Sequence, residues 1–101
     1  WGHSKDYVRG MHMILNNDEP KDYIIATGDT RTVRDFCRYT FDKLGKNYQD
    51  YVTQNPKFMR PEELKFLKGD STPIREELGW EPEYTFETML DEMIEFWMNN
   101  V

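Results

Sequence analysis

An arginine, a proline and a glutamate stand close together as Arg60, Pro61 and Glu63, at the head of the run FMRPEELKFLKGDSTPIREELGW from Phe58 to Trp80. The proline ring clashes with the backbone of the residue before it, which predicts an extended Arg60 with its guanidinium projecting. Proline suits the first position of a helical turn, and Glu62 and Glu63 then fall where unpaired amides favour negative charge. One bend therefore carries a cation and a carboxylate. Two uses fit such a pair. The planar guanidinium can grip two diphosphate oxygens while the carboxylate accepts from two ribose hydroxyls, or the two side chains can brace the turn as a salt bridge. Short motifs of common residues often arise by chance, and from spacing alone the salt bridge is the plainer reading.

Other residues invite chemistry less. Tyr39 and Lys43 in YTFDK match Tyr-x-x-x-Lys, a pair that lowers the tyrosine pKa in dehydrogenases, but no glycine-rich phosphate loop precedes them. The six glycines, at 2, 10, 28, 45, 69 and 79, form no G-x-G-x-x-G pattern. The pair reads as the solvated flank of an amphipathic helix. His3 and His12 have no second ligand at metal spacing, so His3 is expected to be structural and His12 a surface residue. Asp91, Glu92 and Glu95 alternate with Leu90, Met93 and Ile94, as on the solvated face of a helix.

Composition narrows the classes. With 101 residues the chain is one domain at most, burying about 65% of the surface its unfolded form exposes. Only 38% of it is hydrophobic, but fifteen aromatics and six methionines enlarge each buried position and argue for a folded chain. Nineteen acidic against thirteen basic residues give a net charge of −6, which opposes nucleic acid and anionic membrane surfaces as partners. Cys37 is the single cysteine, so no intrachain disulfide forms, and the composition suits a reducing, cytoplasmic compartment. The abrupt start at Trp1 suggests a piece of a longer protein.

The elements that must hold Arg60 read as follows. Ser4 or Asp6 is placed to cap a helix with Tyr7, Val8, Met11, Ile14 and Leu15 on its apolar face, ending before Pro20. Tyr23–Thr27, YIIAT, reads as a buried strand. Thr32 caps a second helix in a partial capping box with Asp35, and Gly45 stops it. Tyr48–Thr53 is a candidate edge strand and Leu64–Lys68 a short strand. Thr72 is the expected cap of a third helix ended by Gly79, with Trp80 folding back towards Ile74. Thr85 caps a last helix running to about Met98, with Phe86, Met89, Leu90, Met93, Ile94 and Trp97 as its buried face. The expected fold class is α/β, about four helices with two or three short strands. So few strands for so many helices suggest a layer that completes a larger neighbour.

WGHSKDYV, NDEPKDYIIATGDTRTVRDF and FMRPEELKFLKGDSTPIREELGWEPEYTFETMLDEM closely resemble the GDP-mannose 4,6-dehydratase family, a branch of the extended short-chain dehydrogenases. The likeness covers nearly the whole chain and falls on the family's C-terminal, substrate-binding portion. Glu62 departs from it, where the family often has threonine, and Lys46–Lys57 is shorter than in some members. The resemblance implies a parent enzyme, a lyase of nucleotide-sugar metabolism and GDP-fucose biosynthesis, that uses NADP to convert GDP-mannose to GDP-4-keto-6-deoxymannose. Its cofactor loop and catalytic residues lie upstream in a Rossmann domain, so this chain alone is expected to bind no NADP and to be inactive. A homo-oligomer, dimer or tetramer, is implied for the full-length protein. By resemblance Arg60 and Glu63 bind the diphosphate and ribose of GDP. Two other readings remain: a free-standing, non-catalytic nucleotide-sugar-binding module, or the equivalent lobe of a GDP-sugar epimerase or reductase.

Overall fold

Local signals in the chain set most of the helix boundaries. In the computed structural model, which describes residues 1–62 and 66–100, the helices are α1 (Ser4–Leu15), α2 (Val33–Lys43), α3 (Thr72–Leu78) and α4 (Phe86–Asn99), with 3₁₀ turns at Tyr48–Asp50 and Pro56–Phe58. Thr32 and Asp35 form the expected reciprocal capping box of α2, and Thr85 closes another with Thr88 at the start of α4. Gly79 adopts φ +72° after α3, a conformation that costs glycine no Cβ clash, and turns the chain so that the Trp80 amide reaches the Ile74 carbonyl at 3.4 Å. Two caps differ from expectation. His3, through Nδ1, accepts from the Lys5 amide and caps α1 in place of Ser4 or Asp6. Ser71 holds the cap position of α3, while Asp70 accepts from both the amide and the hydroxyl of Thr72.

The chain divides into two compact units, Trp1–Thr30 with Lys68–Val101, and Arg31–Leu67. The first has a core of Ile74, Trp80, Phe86, Met89 and Leu90. Polar contacts tie its two stretches together around Asp6, which is only 1% exposed. Its carboxylate accepts from the Glu83 amide at 2.9 Å, the Tyr84 amide at 3.1 Å and Arg9 at 3.2 Å, while its carbonyl accepts from the Trp80 indole at 2.9 Å. Gly10, one turn on, is buried against the same region: a Cβ there would lie 2.8 Å from the end of Ile25 and 3.2 Å from the Trp80 indole nitrogen. The buried edge of α1 is thus Asp6 and Gly10, whereas Val8, Met11 and Leu15 of the expected apolar face are exposed. On α4 the first half of the stripe is buried, but Met93 and Trp97 are exposed.

In the second unit α2 packs against the 3₁₀ turn that follows it. Phe41 stacks on Tyr51 at 5.4 Å, Arg38 lies over Tyr48 at 5.9 Å and Lys46 over Tyr51 at 5.6 Å. Such contacts hold a polar loop without an aliphatic core.

The α/β expectation is overturned, because no described residue forms a β-strand. A strand exists through its hydrogen-bond ladder, and Tyr23–Thr27 has other partners. Arg75 donates to the Ala26 and Thr27 carbonyls at 3.3 and 2.9 Å, and Ile24 is exposed. Tyr48–Thr53 turns where an edge strand was expected, since Asn47 Oδ1 accepts from the Gln49 amide and the Val52 amide reaches back to the Tyr48 carbonyl at 2.9 Å. Of Leu64–Lys68, Leu64 and Lys65 lie outside the described residues, and the remainder is irregular.

Candidate functional site

Arg60 is positioned by a small turn with its own cap. Asn55 Oδ1 accepts from the Lys57 amide at 3.0 Å, which starts the Pro56–Phe58 turn, and the Met59 amide closes it on the Pro56 carbonyl at 3.2 Å. Met59 leaves the turn extended, with φ −74° and ψ +136°. Arg60 follows it into Pro61, as a residue before proline should, and is exposed. Together with Gln54, Asn55, Phe58 and Met59 it lines an open hollow of about 280 Å³. Of these five lining residues the sequence singles out only Arg60. The signal was present in Asn55-Pro56, a dipeptide that starts turns, followed at once by an aromatic and the arginine. Glu63, the second expected ligand, lies outside the described residues.

Charge is unevenly divided between the units. Residues 31–67 hold eight Lys and Arg against five Asp and Glu, a formal +3, whereas residues 1–30 and 68–101 hold five against fourteen, a formal −9. Arg60 belongs to the cationic unit, and over a Debye length of about 8–10 Å nearby charges dominate what an approaching anion meets.

The remaining candidates fall to structural roles. His3 caps α1, stacks on Tyr84 at 3.9 Å and pairs through Nε2 with Glu92 at 3.1 Å, and that contact holds the Glu92 carboxyl below its usual range. His12 is exposed on α1 beside Asn16. Glu92 and Glu95 face solvent, and Asp91 is half-buried. Lys43 Nζ lies 5.9 Å from the centre of the Tyr39 ring, over its face. No three His, Cys, Asp or Glu side chains gather into a metal site among the described residues. No helix among them is long and apolar enough to cross a membrane. A second hollow of about 160 Å³, in the first unit between Trp1, Asp29, Tyr84 and Phe86, is lined by no Lys or Arg and so lacks a counter-charge for phosphate.

The family model for GDP-mannose 4,6 dehydratase matches residues 1–93. The chain belongs to this family. It is 37% identical to the human GDP-mannose 4,6 dehydratase, across 93% of the chain and 30% of that protein. It is 40% identical to GDP-mannose 4,6 dehydratase 2 of Caenorhabditis elegans, across 93% of the chain and 29% of the relative, and 38% identical to GDP-mannose 4,6 dehydratase 2 of Arabidopsis thaliana, across 94% and 26%. The chain therefore spans under a third of the length of these relatives. The match with the human dehydratase extends over 111 aligned positions, more than the 101 residues here, so that relative carries residues within the matched region that this chain lacks. Membership of the GDP-mannose 4,6 dehydratase family makes an enzyme family the context in which Arg60 and its hollow are read.

Proposed function

We propose that this chain serves as the C-terminal, substrate-binding portion of a GDP-mannose 4,6-dehydratase, where Arg60 and Glu63 hold the diphosphate and ribose of the GDP-sugar. The observation that carries the reading is Arg60 itself, exposed beside an open hollow on a cationic unit, in a chain whose family is named for a GDP-sugar. The guanidinium fork matches two diphosphate oxygens, and a neighbouring carboxylate suits ribose hydroxyls. The glycine spacing here does not fit a dinucleotide loop. NADP and the hydride chemistry at the mannosyl ring are accordingly assigned to an upstream Rossmann domain, and no catalytic step is routed through these residues. The exposed apolar side chains Val8, Met11 and Leu15 of α1 and Met93 and Trp97 of α4 are available for contact with that domain or with another subunit of a homo-oligomer.

The test is turnover. The complete protein with NADP should convert GDP-mannose to a 4-keto product, while residues 1–101 alone should give none; turnover by the fragment would overturn the division of labour. Tyr39→Phe in the complete protein should leave the rate within a few-fold of the parent, because its spacing from Lys43 follows from the helix repeat alone. A thousandfold loss with the fold intact would make Tyr39 a catalytic residue.

A further inference from the structure

The C-terminal end of α4 is bare on every side. From Glu95 to Asn100 no residue is even half-buried, and Phe96, Trp97 and Met98 leave 57%, 60% and 64% of their surfaces exposed. The helix is nonetheless well formed there: the Asn100 amide closes on the Trp97 carbonyl at 3.3 Å, and the Asn100 side chain donates to the Phe96 carbonyl at 2.6 Å. Successive helical residues point about 100° apart, so Phe96, Trp97 and Met98 spread over about 200° of the circumference. Exposed Met93, three residues before Phe96, falls inside that arc. A flat neighbour covers a stripe only about 100° wide. Whatever buries this end must therefore receive it in a groove. The end also carries one sign of charge, because α4 holds Glu87, Asp91, Glu92 and Glu95 and no Lys or Arg. Two copies of α4 laid together would set carboxylates against carboxylates, whereas a cationic rim suits them. The family model ends at residue 93, so membership assigns no role to residues 96–98.

We propose that the end of α4, Phe96 to Met98, seats in an apolar groove rimmed by Lys and Arg, formed by the part of the same polypeptide that lies outside residues 1–101. The assignment rests on reading the chain as the C-terminal portion of a longer enzyme, and it is independent of Arg60. The chain spans 30% of its human relative, which leaves ample polypeptide to form such a groove. Three consecutive exposed apolar residues associate with any apolar surface they meet. A groove in the same polypeptide is at hand from folding onward, because linkage makes its effective concentration high. A second copy or a separate protein would leave the run bare whenever it dissociated. α4 then belongs to two bodies at once: Phe86, Met89 and Leu90 seat its first half in the core of its own unit, and Phe96, Trp97 and Met98 seat its second half in the other. A helix held at both ends in this way fixes where the unit that contains it sits against the rest of the enzyme.

The experiment has two arms, both on the complete protein. Hydroxyl-radical labelling read by mass spectrometry should modify Phe96, Trp97 and Met98 about tenfold more slowly than in the urea-unfolded protein. Side chains as exposed as these are here would be slowed only about twofold, and that result would overturn the proposal. In the second arm a photoreactive diazirine analogue of methionine replaces Met98, and illumination traps whatever touches it. Normal and isotope-labelled proteins folded together separate links within one chain from links between chains. The expected product is a link within one chain, from position 98 to an apolar segment upstream of Trp1 that is flanked by Lys and Arg. Links only between chains would give the end to a second copy, links only to residues 1–101 would give it to this chain itself, and a captured segment flanked by acidic residues would remove the cationic rim. Each of these overturns the proposal. The two readings fail separately: a complete protein that converts GDP-mannose with this end bare keeps the proposed function and loses the groove, and one with the end buried but no dehydratase activity does the reverse.

Discussion

Arg60→Ala in the complete protein is expected to raise KM for GDP-mannose by roughly tenfold to a hundredfold, with kcat changed much less. Two charge-assisted hydrogen bonds to diphosphate oxygens contribute about 1.5–3 kcal/mol. The diphosphate keeps its charge while the sugar reacts, so that contribution is the same in ground state and transition state and appears in affinity. Arg60→Lys should recover only part of the loss, because a point charge cannot reproduce the planar fork. The measurement is steady-state kinetics paired with a thermal melt. A lowered melting temperature with unchanged affinity would return Arg60 to the role of a salt bridge bracing its turn.

What could be read from the sequence was mostly what is local. The capping box of α2, the glycine stop of α3 and the Thr85 cap of α4 depend on residues within a turn of one another, and each is present. The strands were not legible because pairing is non-local: Tyr23–Thr27 has the composition of a buried strand, but the Arg75 guanidinium takes two of its carbonyls. The apolar stripe of α1 identified a helix correctly and its buried edge wrongly. Periodicity says which residues share a face, and only tertiary contact says which face is covered. Arg60 was singled out because proline constrains the residue before it, and the structure adds that it is exposed beside a hollow. The hollow was not, since it is lined by a turn that the Asn55 side chain starts, in a stretch between the candidate edge strand and Arg60 to which no element was assigned.

The largest expected effect on stability belongs to Asp6, one of two candidate caps of α1 with Ser4, which the structure places at the junction of two distant stretches. Burial pushes its carboxyl up, but the Glu83 and Tyr84 amides and Arg9 outweigh this and hold it below the usual carboxylate range. Asp6→Ala leaves the Glu83 and Tyr84 amides without their acceptor, while Arg9 keeps the Glu81 carbonyl and the Glu83 carboxylate, and should cost about 2–4 kcal/mol at pH 7. Asp6→Asn is the sharper probe. The Glu83 amide meets Oδ1 and the Tyr84 amide meets Oδ2, so in either orientation the new NH₂ group faces a backbone donor. A carboxyl whose folded pKa is depressed contributes stability that is fully present above its unfolded value, about 3.9, and is lost as pH falls through the folded value. The stability gap between the parent and Asp6→Asn should therefore be widest near neutral pH and narrow progressively below about pH 4, as followed by urea unfolding at a series of pH values. A gap that stays constant across that range would mean that shape, and not the charge of the carboxylate, holds the junction. A gap under about 0.5 kcal/mol at pH 7, the range of ordinary surface substitutions, would mean that the junction does not depend on Asp6.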